Sequence, residues 1–248
     1  LLHLSESHLL QMKNIIVSYL INLIKLYMYR KRVVNGDIMS MLMKNRKILV
    51  YERSVFFVIM IFENNKEKRI IFVRKVTLFI AMSLDGYIAD SDEKVDWLVG
   101  HDKNIENMEV YNSFIKNIDT VIMGWKTYHQ IITELSPNEW VYEGMTSYIL
   151  THQNHQSTSQ IFFTDEKPSQ LIHHLKRKEG KGIWICGGAN VIQQILQEDM
   201  IDEFYISIIP TLLGKGISLF GILDKKIDLR LIKTQSYNGI TDLIYQRR

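Results

Sequence analysis

One cysteine, Cys186, in 248 residues excludes an internal disulfide framework and any zinc site built from a cysteine cluster. With 46% hydrophobic and 23% charged residues, the chain is too apolar to be a disordered polyelectrolyte and long enough to bury a substantial core. Of its 30 Lys+Arg and 27 Asp+Glu, 12 and 5 fall in residues 1–73, so the basic excess sits at the front and residues 74–248 are mildly acidic, which argues against broad nucleic-acid binding there.

Residues 1–73 read as an extension that is poorly ordered or not native to the protein, with Val73 as one candidate start. Apolar runs at 15–24 and 54–62 are shorter than the ~18–20 residues a spanning helix needs. Lys25, Arg30, Lys31 and Arg32 after the first run leave a membrane-surface helix as the other reading. No membrane association is expected of residues 74–248, and a reducing cytoplasm suits the single thiol.

From residue 76 the pattern sharpens. Residues 76–81 are apolar and β-branched, a buried strand, and Asp85-Gly86 signals a turn. Apolar positions within 104–118 recur at helical spacing. A second strand at 120–123 ends on Gly124, and Lys126-Thr127 opens a helix to about Leu135. Strands follow at 146–150 and 160–163, then a helix behind Pro168. The run Ile183-Trp-Ile-Cys186, then Gly187-Gly188, then Val191, Ile192, Ile195 and Leu196, spells strand, tight turn and helix. Such a junction brings backbone N–H groups and a positive helix end up to a pyrophosphate, or it merely turns the chain. A strand at 203–209, a glycine-rich turn at 212–216 and two strands joined by Asn238-Gly239, a hairpin signal, complete the chain. The predicted fold is α/β: a mostly parallel central sheet flanked by helices, with a C-terminal antiparallel hairpin.

Four landmarks stand in order: Ser83-Leu-Asp-Gly-Tyr-Ile-Ala89, Val121-Ile-Met-Gly-Trp-Lys-Thr-Tyr128, Cys186-Gly-Gly-Ala-Asn190 and Pro210-Thr-Leu-Leu-Gly-Lys-Gly216. Together they resemble the dihydrofolate reductase superfamily, and within it the C-terminal reductase domain of the riboflavin-biosynthesis protein RibD. The resemblance covers about residues 74–248. It implies a dihydrofolate reductase-like fold, NADPH as hydride donor and a pyrimidine- or pterin-like substrate. The named activity it favours is 5-amino-6-(5-phosphoribosylamino)uracil reduction, with dihydrofolate reduction as the alternative. A homodimer paired through sheet edges is expected on the same ground.

Carried over by position, Ala81 and Ile88 would flank the nicotinamide. Gly124, Lys126 and Thr127 would receive one side of the pyrophosphate, and Gly187, Gly188, Ala189, Asn190 and Val191 the other. Thr151 and His152 would lie near the adenosine ribose and its 2′-phosphate. Leu213 and Gly214 would border the substrate. Asp96 is the nearest candidate proton donor, and a solvated acid or a helix cap is the reading favoured over it. Asp85 is a candidate substrate contact or a turn residue, and Trp97 a substrate stacker or a packing residue. The histidines show no metal-ligand spacing, so no metal is expected. Two departures stand out: Trp125 where the family commonly has arginine, and Cys186 where its riboflavin branch usually has glutamate. They leave room for a nucleotide-binding module without catalysis.

Overall fold

The computed structural model describes residues 46–53, 56–63, 67–102 and 109–248, with side chains for 74–102 and 109–248. The chain divides after Val73. In the first unit β1 (Arg46–Arg53), β2 (Phe56–Glu63) and β3 (Glu67–Val73) form an antiparallel sheet in that order. The apolar run at 15–24 lies outside the described residues, as do Ile105 and Met108 of the expected helix at 104–118.

The second unit, from Arg74, is built on eight strands. In chain order they are β4 (Val76–Ser83), β6 (Ile118–Gly124), β7 (Thr146–Leu150), β8 (Ile161–Thr164), β9 (Gly182–Gly187), β10 (Glu203–Ile209), β12 (Leu229–Tyr237) and β13 (Ile240–Arg247). Across the sheet the order is β12-β13-β10-β4-β9-β6-β7-β8. Every pairing from β10 to β8 is parallel, and β13 is antiparallel to both β10 and β12. The mostly parallel sheet with an antiparallel C-terminal hairpin is therefore as read from the sequence. At the hairpin tip Asn238 and Gly239 both take positive φ, 47° and 78°, which the twist of a two-residue turn requires.

The helices are α1 (Glu109–Ile115), α2 (Trp125–Gln130), α3 (Pro168–Lys176) and α4 (Ala189–Gln197), and α2 runs on as a π-helical turn, Ile131–Leu135. Strand alternation sorts the core into two layers. Leu78, Ile122, Ile183 and Ile185 meet Ile172, Leu175, Ile192 and Ile195 of α3 and α4 on one face. On the other, Val121, Met123 and Trp184 pack with Phe114 of α1 and Ile131. Two short strands, β5 (Tyr87–Ala89) and β11 (Ile217–Ser218), pair outside the main sheet, an element the local pattern did not signal. Gly216 precedes β11 at φ 157°, and a Cβ there would stand 2.2 Å from the Ala89 carbonyl oxygen, so only glycine admits the strand.

Candidate functional site

Parallel strands point their carboxyl ends the same way, and helix N-termini collect there. Along that edge lies a cleft of about 1270 Å³. Its lining is drawn from the ends of β4, β6, β7, β8 and β9 and from the turns that follow them.

Two turns form its floor. Gly124 caps α2 and Gly188 caps α4, both in extended conformation and neither with a side-chain hydrogen bond to the helix start. Their first-turn N–H groups are thus not consumed by side-chain caps. The turns also touch. A Cβ on Gly124 would sit 3.3 Å from Val191 Cγ2, and one on Gly188 would sit 3.2 Å from Thr127 Oγ1. Glycine at both positions is what lets the two helix starts converge. The Gly187–Gly188 peptide is cis.

All twelve residues expected at the cofactor line this cleft: Ala81 and Ile88, Gly124, Lys126 and Thr127, Thr151 and His152, and Gly187 to Val191. The five expected at the substrate or the proton do not. Asp96 is exposed and off the lining, and Trp97 donates its indole N–H to the Lys94 carbonyl at 3.1 Å. Leu213 and Gly214 give their amides to the Asp85 carboxylate, at 3.2 and 2.7 Å. Ser83 Oγ adds a third bond to Asp85 at 2.6 Å, and this hydroxyl is the main reason the carboxyl titrates below its ordinary range. Asp85 is committed to holding the first-motif turn against the 212–216 loop. Ile217 and Ser218, just beyond that loop, reach the cleft instead.

The two departures both face the cleft. Trp125 stacks on His155 with ring centroids 4.1 Å apart and planes at 15°, so an aromatic platform occupies the corner where a guanidinium was expected. Cys186 Sγ lies 3.2 Å from the Tyr142 hydroxyl. Burial pushes the thiol up to about 11 and drives the phenol further up, so both are neutral near pH 7. Sequence reasoning missed Tyr142, which follows Trp140 and Val141 in a segment between β6 and β7 too short to show a helical or strand period. It missed the 164–168 turn at the end of β8 for the same reason.

Charges at the cleft are mixed. Lys126 pairs with Glu93 across the mouth, and both are exposed, so a phosphate can replace the glutamate at little cost. Lys94 and Lys167 are further cations along the lining. Among the described residues no group of three His, Cys, Asp or Glu is placed to hold a metal ion, and no helix is long and apolar enough to cross a membrane.

Comparison with known proteins shows the family and the fold. Residues 74–245 match the family model of the RibD C-terminal domain. An uncharacterised protein of Bacillus subtilis (strain 168), YwjB, is 37% identical over 177 residues, covering 70% of this chain and 98% of its own. A crystal structure from Shewanella sp. PV-4, whose name assigns it provisionally to riboflavin biosynthesis, is 31% identical with a TM-score of 0.60. That match covers 70% of this chain and 99% of the other. Dihydrofolate reductase of Enterococcus faecalis, complexed with NADP(H), aligns over 70% of this chain and 96% of its own, at 15% identity and TM-score 0.51. That last likeness shows the fold alone: the second unit has the dihydrofolate reductase-like architecture.

Proposed function

Since the chain belongs to the RibD C-terminal domain family, we propose that it is an NADPH-dependent reductase of a planar pyrimidine- or pterin-like heterocycle. One observation carries the reading: two glycine-capped helix starts converge on the floor of a single cleft. Drug-sized ligands occupy roughly 300–1,000 Å³. A cleft of about 1270 Å³ exceeds that range, which supports a reading with a dinucleotide and a second small molecule. Reduction of 5-amino-6-(5-phosphoribosylamino)uracil is the named activity the family favours.

The residues present fit such a cofactor. The amides at the starts of α2 and α4 would donate to the pyrophosphate from two sides, and the positive helix ends favour that charge. Lys126, released from Glu93, would add a cation. Thr151 and His152 would lie toward the 2′-phosphate. Ala81 and Ile88 offer a small, apolar wall for a flat ring. When bound, the cofactor supplies a hydride to an electron-poor C=N or C=O carbon, a proton reaches the nitrogen or oxygen, and NADP⁺ is left. The chain's task is to orient the two rings and exclude water.

Titration with NADPH and NADH under a thermal melt tests this. At NADPH a hundredfold above its Kd, linkage adds about 2.7 kcal/mol of stability, a rise in Tm of roughly 5–10 °C. Gly188→Val, which pushes a branched side chain onto Thr127, should weaken NADPH binding at least tenfold. No shift with either dinucleotide sinks the reading. Trp125 favours a second one, a dinucleotide-binding module without chemistry, and NADPH binding without oxidation across a panel of heterocycles would establish it.

A further inference from the structure

A dinucleotide extends to both sides of its pyrophosphate, so a floor made by the starts of α2 and α4 leaves one nucleoside on each side. Those helices follow β6 and β9, which are neighbours in the sheet. Toward β4 the lining is the small apolar pair Ala81 and Ile88. Toward β7 and β8 it is Trp125, with Thr151 and His152 past β7 and the 164–168 turn past β8. With the nicotinamide at the apolar wall, the adenosine falls on this second side.

Trp125 is held there as a platform. It is the first residue of α2, directly after Gly124, and it is half-buried. Besides the stacked His155, the rings of Tyr128 and Phe163 stand 5.6 and 6.2 Å from the indole. Gln153 Oε1 in turn lies 3.2 Å from His155 Nε2. An indole fixed by three rings offers flat apolar surface at little ordering cost.

Charge on this side does not suit a phosphate. No arginine is among the described lining residues. Past β8 the lining sets Asp165 and Glu166 against Lys167. Glu166 is bonded to His174 Nδ1 at 2.7 Å, whereas Asp165 is exposed. A carboxylate at a strand end accepts a ribose 2′-hydroxyl and repels a 2′-phosphate, while a guanidinium fork does the reverse.

Resting on the dinucleotide site proposed above, we infer that Trp125 widens the choice of cofactor to include NADH. The two dinucleotides share the adenine and differ only in the 2′-phosphate. An aromatic face binds the base whatever the ribose carries, and this corner has no guanidinium to reward the extra phosphate. The chain therefore takes NADH nearly as readily as NADPH, and Trp125 is the residue that decides it.

Calorimetric titration of NADH and NADPH into the full chain tests this. NADH should bind no more than about threefold more weakly than NADPH. Trp125→Ala should weaken both by roughly tenfold and by the same factor, and Trp125→Phe, which keeps a flat ring, should retain both. Trp125→Arg should bring a preference for NADPH of about tenfold or more. The inference is overturned if NADPH binds the parent more than about threefold tighter than NADH, or if Trp125→Ala leaves both affinities unchanged. Should Trp125→Ala fail to fold, the same NADH-to-NADPH ratio in Trp125→Arg as in the parent overturns it equally. A strong NADPH preference sinks this inference and leaves the cofactor reading standing, whereas binding of neither dinucleotide sinks both.

Discussion

Asp85 carries two readings in the sequence, a substrate contact or a turn residue, and its hydrogen bonds support the second. In sequence it belongs to a loop that the resemblance places at the substrate, yet its carboxylate is spent on Ser83 Oγ and the amides of Leu213 and Gly214. Those bonds favour the ionised form, so its titration in the folded chain falls below the ordinary value of about 3.9. A depressed carboxyl contributes stability that is complete above the unfolded value and is lost as pH falls through the folded one. Asp85→Asn should therefore lower Tm most at pH 6–7, and the gap to the parent should close as pH drops toward 2–3. A gap of constant size across melts from pH 2.5 to 7 would refute the assignment. Cys186 and Tyr142 show the opposite case: the cysteine was legible as a buried strand-end residue, but nothing local announced the phenol opposite it, 44 residues earlier in the chain.

At the scale of elements, ends matter more than middles. The sheet's amino edge, opposite the cleft, is tied by Arg74, 4% exposed, which donates to the Lys181 carbonyl at 2.7 Å and Thr120 Oγ1 at 2.6 Å and pairs with Asp119. One guanidinium thus joins the starts of β4, β6 and β9. Burial lowers its titration, and Asp119 works against that shift. Arg74→Met leaves Asp119 and the Lys181 carbonyl without this donor and should cost about 2–4 kcal/mol in urea unfolding. Lys126→Met, which breaks the exposed pair with Glu93, should cost under ~1 kcal/mol by the same assay. Equal costs would show that burial is not what gives the Arg74 pair its value. The hydrophobic period predicted each main strand and the three helices after α1 closely, because a period is a property of a few neighbouring residues. β5 and β11, only three and two residues long, have too few positions to display one.

For the whole molecule, both clusters of buried apolar side chains among the described residues come from positions 76–245. A chain begun at Arg74 should accordingly melt cooperatively and bind NADPH within about twofold of the full-length affinity. Loss of the cooperative melt would show that the preceding segment is part of the folding unit. The sequence by itself determined the α/β class, the hairpin and both glycine turns, since alternation, helical spacing and a missing Cβ act over short stretches. Only the tertiary structure decided that β9 inserts between β4 and β6, which sets Gly188 against Thr127 and Cys186 beside Tyr142. Strand order rests on pairing between segments far apart in the chain, and local pattern carries no record of which segment will be the neighbour.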